Sequence, residues 1–156
     1  MFKRFAIACF VLCAFVLPAR AAVGEKAPPL AGKALDGSSV DLAKLEGKAV
    51  IVYLWNTQCA ACVKDLQTLR DFYHQYEDRG LAVVALAEDP LKLKYAVQEA
   101  EGAVDYPVVM AAEAKRNGFA APEKFPLVYI MAKDGTVRGI YPALPAGDAL
   151  PKAVFR

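Results

Sequence analysis

Neither sign of charge is in useful excess: 19 Lys and Arg stand against 17 Asp and Glu, a formal net of +2. So small a surplus gives no reason to expect a nucleic-acid partner. Cysteine is scarce, four in 156 residues, which excludes a disulfide-dense scaffold. A single histidine leaves little material for a metal centre. Gly and Pro number ten each, without period or clustering, so collagen-like and low-complexity classes fall away. Apolar residues, by contrast, make up 56% of the chain, enough to bury one core of ordinary size and to exclude intrinsic disorder.

The longest apolar run, Phe5 to Leu17, has thirteen residues and follows Lys3 and Arg4. As a helix it would rise about 20 Å, short of the roughly 30 Å hydrocarbon core of a bilayer. Pro18 then breaks it, and Ala19-Arg20-Ala21 has the small-x-small form of a cleavage site. This reads as an export signal over residues 1–21, with an uncleaved membrane anchor as the alternative, followed by one domain over 22–156. Cleavage removes Cys9 and Cys13, and takes the basic count from 19 to 16 against 17 acids, a net of −1 over 135 residues. The exported domain keeps two cysteines, Cys59 and Cys62.

Val23 to Leu30 is Pro-rich and extended, and Asp36-Gly37 marks a turn between short β-like pieces. Ala49 to Trp55 (AVIVYLW), Leu81 to Ala87 (LAVVALA) and Leu127 to Met131 (LVYIM) are continuous β-branched and aromatic runs, the mark of strands buried on both faces. Helical spacing fills Cys62 to Arg79, stopped by Gly80, and Leu91 to Glu101, stopped by Gly102. Pro107 to Met110 is a short strand, Ala111 to Gly118 a short helix, Thr136 to Tyr141 the return of a hairpin turned at Asp134-Gly135, and Ala146 to Phe155 a terminal helix. The order predicts one three-layer α/β domain, a central mixed sheet with flanking helices and a terminal antiparallel hairpin.

Trp55-Asn-Thr-Gln-Cys59-Ala-Ala-Cys62 sits where the first long strand hands over to the first long helix. Free N–H groups and a partial positive charge at a helix start favour a thiolate. The outer Cys59 is expected to ionise and attack, and the inner Cys62 to resolve the mixed disulfide. A purely structural bridge gains little here, because the loop it closes is so short. Zinc would need two further ligands where only His74 is left, and covalent haem needs His where Val63 stands. His74, mid-helix, reads as a surface residue.

With these landmarks the chain resembles the thioredoxin superfamily, and more narrowly the exported TlpA-like and ResA-like thiol–disulfide oxidoreductases, which include cytochrome c maturation proteins. The resemblance runs from about Val23 to Tyr141 and rests on VGEKAPPL, DGSSVDLAKLEGKAVIVYLWNTQCAACVKDL and FPLVYIMAKDGTVRGIY. It implies a thioredoxin-like fold, a redox disulfide between Cys59 and Cys62, and a cis-proline loop at Phe125-Pro126 that docks substrate backbone. It also implies protein thiol or disulfide substrates in the periplasm, a membrane electron donor such as a transmembrane thiol reductase, and no cofactor. Trp55 is kept from the pattern. Gln58, Ala61, Leu127 and Tyr53 depart from it, which bears on substrate and redox potential more than on the chemistry.

Resolution requires Cys62 to lose a proton. Glu88, after the second strand and close to where ResA-like proteins carry a buried Glu, is the candidate carrier; a solvated loop carboxylate beside Asp89 is the alternative. Lys64-Asp65 resembles the family's charged pair in the first helical turn, or is solvated surface. A peroxiredoxin shares the G-x-x-A-P opening, but its site wants Pro and Thr where Val52 and Asn56 stand. A Sco-like copper carrier needs C-x-x-x-C and a late His, and this chain has neither.

Overall fold

A computed structural model describes residues 21–102 and 104–156. Residues 1–20 of the expected export signal therefore lie outside the described residues. Among the described residues, eight strands and three α-helices follow in the order β1 (Leu30–Lys33), β2 (Ser39–Asp41), β3 (Ala49–Trp55), α1 (Ala60–Tyr76), β4 (Leu81–Ala87), α2 (Lys94–Glu101), β5 (Val108–Met110), β6 (Arg116–Asn117), β7 (Leu127–Met131), β8 (Val137–Tyr141) and α3 (Ala149–Phe155).

The central sheet runs β5-β4-β3-β7-β8. Pairing is parallel from β3 to β4 and from β4 to β5, and antiparallel from β3 to β7 and from β7 to β8. β3 lies in the middle with all seven residues buried, which is why its sequence alternates nothing and is apolar throughout. Its odd-numbered side chains Ile51, Tyr53 and Trp55 pack under Cys62, Leu66 and Leu69 of α1, with Val97 of α2 and Leu150 and Val154 of α3. Val50, Val52 and Leu54 face the other way, against Leu30, Val40, Leu42 and Phe119. That second face is covered by a small sheet of order β2-β1-β6, so the three layers are helices, central sheet and small sheet. Each fully buried large side chain of the central layer contributes about 1.5–3 kcal/mol relative to exposure.

α1 begins at Ala60, earlier than its apolar spacing indicates, and continues as a 3-10 turn, Glu77–Arg79, into Gly80 at φ +85, a left-handed stop that glycine adopts without penalty. The terminal helix starts at Ala149 rather than Ala146. The expected helix over Ala111–Gly118 is not formed. Only Ala111–Glu113 makes a 3-10 turn, and Arg116–Asn117 joins the small sheet against Leu30 and Ala31. The reason is tertiary: Gly118 N–H donates to the Pro29 carbonyl at 2.8 Å. A Cβ at Gly118 would lie 2.6 Å from Pro29 Cδ. Local helix preference over eight residues is too weak to resist that pairing.

Candidate functional site

β3 ends at Trp55, and the chain turns through Asn56, Thr57 and Gln58 into α1. Asn56 Oδ1 accepts the Cys59 N–H at 3.0 Å, the local side-chain-to-backbone bond that makes Asn a turn former. Cys59 is the N-cap of α1 in extended conformation, and its Sγ accepts the Cys62 N–H at 3.1 Å. A sulfur here takes the role that a Ser or Asp oxygen usually takes at a helix start. Cys59 and Cys62 are joined as a disulfide across a separation of three residues. Cys62 is fully buried beneath the helix, whereas Cys59 is half-buried between the exposed Gln58, Ala60 and Ala61. When the bond opens, the amide that faces Cys59 Sγ and the helix terminus both favour its thiolate, and Cys62 has no such exposure to water.

The loop after β4 braces this turn. Glu88 N–H donates to the Trp55 carbonyl at 2.9 Å, extending the β3–β4 ladder by one step. Asp89, only 3% exposed, accepts from Thr57 twice, from the backbone N–H at 3.0 Å and from Oγ1 at 2.6 Å. Asp89 was no candidate on sequence, because its partner lies 32 residues away and no spacing rule joins them. Glu88 is half-buried, with Oε1 buried and, among the described residues, without a hydrogen-bond partner; burial pushes its carboxyl above the usual range. Trp55 Nε1, in a fully buried ring, is likewise unpaired among the described residues. Two orphaned polar atoms on adjacent strand ends cost roughly 1–3 kcal/mol each, a burden that folds tolerate chiefly where chemistry needs it.

Asp65 follows Cys62 by three residues, so the two share one face of α1 with Cβ atoms about 5–6 Å apart. Its Oδ2 accepts from the Tyr53 hydroxyl at 2.9 Å. Burial, then the Asp65 charge, raises the Tyr53 phenol far above its ordinary range and keeps it neutral. Asp65 is thus a part-buried, hydrogen-bonded carboxylate one turn from Cys62, not a freely solvated surface acid.

The Phe125–Pro126 bond is cis. β7 pairs Leu127 with Leu54, so one further step of that register sets Pro126 opposite Trp55, at the cysteine end of the sheet. Phe125 and Cys59 both pack against the same core cluster. The structure therefore brings Cys59, Cys62, Trp55, Glu88 and Pro126 to one end of the central sheet. It leaves His74 at the far end of α1, half-exposed and bonded to Asp105 at 2.6 Å. Among the described residues no group of three or more His, Cys, Asp or Glu could hold a metal ion, and no helix is long and apolar enough to cross a membrane.

The AhpC/TSA family pattern matches residues 23–140. The thiol-disulfide oxidoreductase ResA of Bacillus anthracis is 26% identical over 115 residues, 74% of this chain and 66% of that one, so the chain spans just under two thirds of that relative. Among solved structures, a Chlorobium tepidum chain provisionally named thiol:disulfide interchange protein DsbE superposes with a TM-score of 0.74 at 19% identity, covering 86% of this chain and 96% of that one. A thiol:disulfide interchange protein of the thioredoxin family from Chlorobium tepidum TLS gives 0.67 at 25% identity, over 87% and 99%. The fold is thioredoxin-like, as the resemblance implied.

Proposed function

This chain belongs to the AhpC/TSA family, and from that premise we propose that it is an exported thiol–disulfide oxidoreductase acting on protein substrates through Cys59 and Cys62. The observation that carries the reading is the asymmetric disulfide: an outer sulfur at a helix N-cap, receiving an amide N–H, bonded to an inner sulfur with no exposure.

In the reducing direction the cycle balances as follows. The Cys59 thiolate attacks one sulfur of a substrate disulfide, and the departing substrate thiolate takes a proton. Cys62 then gives up its proton and attacks Cys59 Sγ, which releases the second substrate thiol and leaves the bond seen here. Two electrons and two protons return from a dithiol donor. That donor is a membrane thiol reductase in this proposal, the site of action is the periplasm, and substrates include apocytochromes awaiting maturation. Pro126, set opposite Trp55, docks the substrate backbone beside Cys59. Glu88 and Asp65 are the two carboxylates available to take the Cys62 proton. The orphaned Oε1 of Glu88 favours it as the carrier, because an unpaired buried carboxyl can exchange a proton without first breaking a bond.

Insulin reduction coupled to dithiothreitol tests the assignment. Cys59→Ser is expected to abolish it, and Glu88→Gln to leave substrate attack intact while slowing release of the mixed disulfide. Full turnover by Cys59→Ser would sink the reading.

A further inference from the structure

Over residues 22–156 a net charge of −1 conceals how the charge is placed. Five cations, Lys33, Lys44, Lys94, Lys115 and Arg116, line one groove of about 840 Å³ with only two acids, Asp41 and Glu113. The remaining side chains of residues 22–156 carry 11 cations against 15 acids. The charge is therefore polarised, with a surplus of three positive charges on one face and of four negative charges elsewhere.

That face is the outer side of the small sheet. β1 sets Ala31 opposite both Asp41 of β2 and Arg116 of β6, and Lys33 opposite Ser39, so these side chains share a face, while Leu30 and Val40 turn to the core. Lys33 stands about 7 Å beyond Ala31 along β1. Lys44 belongs to the 3-10 turn Leu42–Leu45 that follows β2, and Lys115 directly precedes Arg116. Both acids of the groove are already paired, Glu113 with Lys94 at 2.7 Å and Asp41 with Arg116 at 3.2 Å. Acids close by in the sequence are engaged elsewhere: Asp36 accepts the Ser38 N–H at 2.8 Å, and Glu46 pairs with Lys26 at 3.7 Å. Lys33, Lys44 and Lys115, all exposed, are left without an ion-pair partner among the described residues. Like charges gathered in this way repel one another until an opposite charge is supplied.

We propose that this groove docks an acidic polypeptide segment, an extended stretch whose carboxylates meet Lys33, Lys44 and Lys115. Apart from the buried Val40, its uncharged lining is Ala31, Gly32, Ala34 and Ser39, all small, which leaves room for a main chain between the cations. A bilayer is flat and would meet only the rim, and the lining has no exposed large apolar side chain to enter it. Nor has the lining an aromatic face on which a nucleic-acid base could stack. A contact of this kind speeds encounter and selects partners by charge, and salt weakens it. It goes beyond the disulfide chemistry and does not depend on it, because the segment is held on the small sheet whatever happens at Cys59.

The test is fluorescence anisotropy of a labelled hexaglutamate peptide titrated with the full chain. Saturable binding is expected at about 0.05 M salt, weakening several-fold by about 0.3 M. Lys33→Gln, Lys44→Gln and Lys115→Gln together are expected to weaken it about tenfold; all three positions are exposed, so the fold is expected to keep its circular dichroism. Lys124→Gln, Lys133→Gln and Lys152→Gln, which remove the same charge from exposed lysines elsewhere, are expected to leave binding within about twofold of wild type. No saturable binding by the wild type overturns the groove. So do equal losses in the two triple variants, which would make net charge alone responsible. So does a hexaglutamine peptide that binds as tightly as hexaglutamate. Binding to phosphatidylglycerol vesicles but not to the peptide, abolished in the groove variant, also overturns it, since lipid would then be the occupant. Failure of the oxidoreductase reading is separate, because it would appear in insulin reduction by Cys59→Ser and not in peptide binding.

Discussion

Asp89 shows how a single buried residue can hold in place a turn that lies 32 positions away, the one that carries Cys59. The turn between β3 and α1 has little of its own to fix it, since Asn56 satisfies one amide and the remaining donors of Thr57 point at the neighbouring loop. Asp89→Ala would leave the Thr57 N–H and hydroxyl without their acceptor in a part-buried setting. The expected loss is about 2–3 kcal/mol of stability, read as a lower urea midpoint, with Asp89→Asn losing less because one amide oxygen remains to accept. A variant that unfolds at the wild-type midpoint would show that water replaces the carboxylate at no cost. At this scale the sequence was only partly legible. Cys59 and Cys62 announce themselves by spacing. Glu88 and Asp89 look alike as neighbouring loop acids, yet one keeps an unpaired buried oxygen and the other is fully bonded. Asp65 could be singled out only as a member of a charged pair, because its partner Tyr53 reads on sequence as an ordinary strand aromatic.

At the level of elements, the far end of α1 is latched to the segment before β5. His74 Nε2 meets Asp105 at 2.6 Å, its Nδ1 meets Glu77 at 3.4 Å, and Arg70 Nε donates to the same Asp105 oxygen at 3.2 Å. The bond to Asp105, then that to Glu77, raises His74 above its ordinary 6.5. The bond to His74, and then those to Arg70, lower Asp105 below its ordinary 3.8. A raised histidine gives stability that is fully present below its unfolded value and is lost as pH climbs through the folded one. A lowered aspartate gives stability present above its unfolded value and lost as pH falls through the folded one. The latch is therefore strongest between about pH 4 and 6.5. Glu101, raised to about 7 by burial and then by Asp36, also costs the fold stability as pH rises, so the wild-type curve alone is ambiguous. The gap in urea midpoint between wild type and His74→Gln isolates the latch, and is expected to shrink from pH 6 to pH 9. A gap that stays constant over that range would rule the latch out. The three long strands were legible because burial on both faces leaves no polar residue to interrupt them. Of the small sheet, the β1–β2 pair was legible through the turn at Asp36-Gly37, but β6 was not, because it is two residues long and exists through pairing with β1 across some 85 positions of chain.

For the whole molecule, a protein that cycles between dithiol and disulfide, as we propose for this one, must be folded in both states. Cys59 and Cys62 are three residues apart, so by chain entropy their bond stabilises the fold by only about 2 kcal/mol. The strands that carry the core are joined by backbone ladders and by two apolar clusters on either face of the central sheet, of which only the helix-side one includes Cys62, as one of twenty buried residues. A secreted domain of this size that relied on disulfides would link distant segments instead. Here the bond lies within one helical turn, where it can alter Cys59 without moving the sheet. Full reduction is accordingly expected to lower unfolding stability by no more than about 2 kcal/mol in urea, with the Cys59→Ser and Cys62→Ser double variant matching the reduced wild type. A loss of twice that size, or a reduced protein that fails to fold, would mean that the disulfide supports the core. It would then be a structural staple, and the oxidoreductase cycle would have no stable reduced form from which to start.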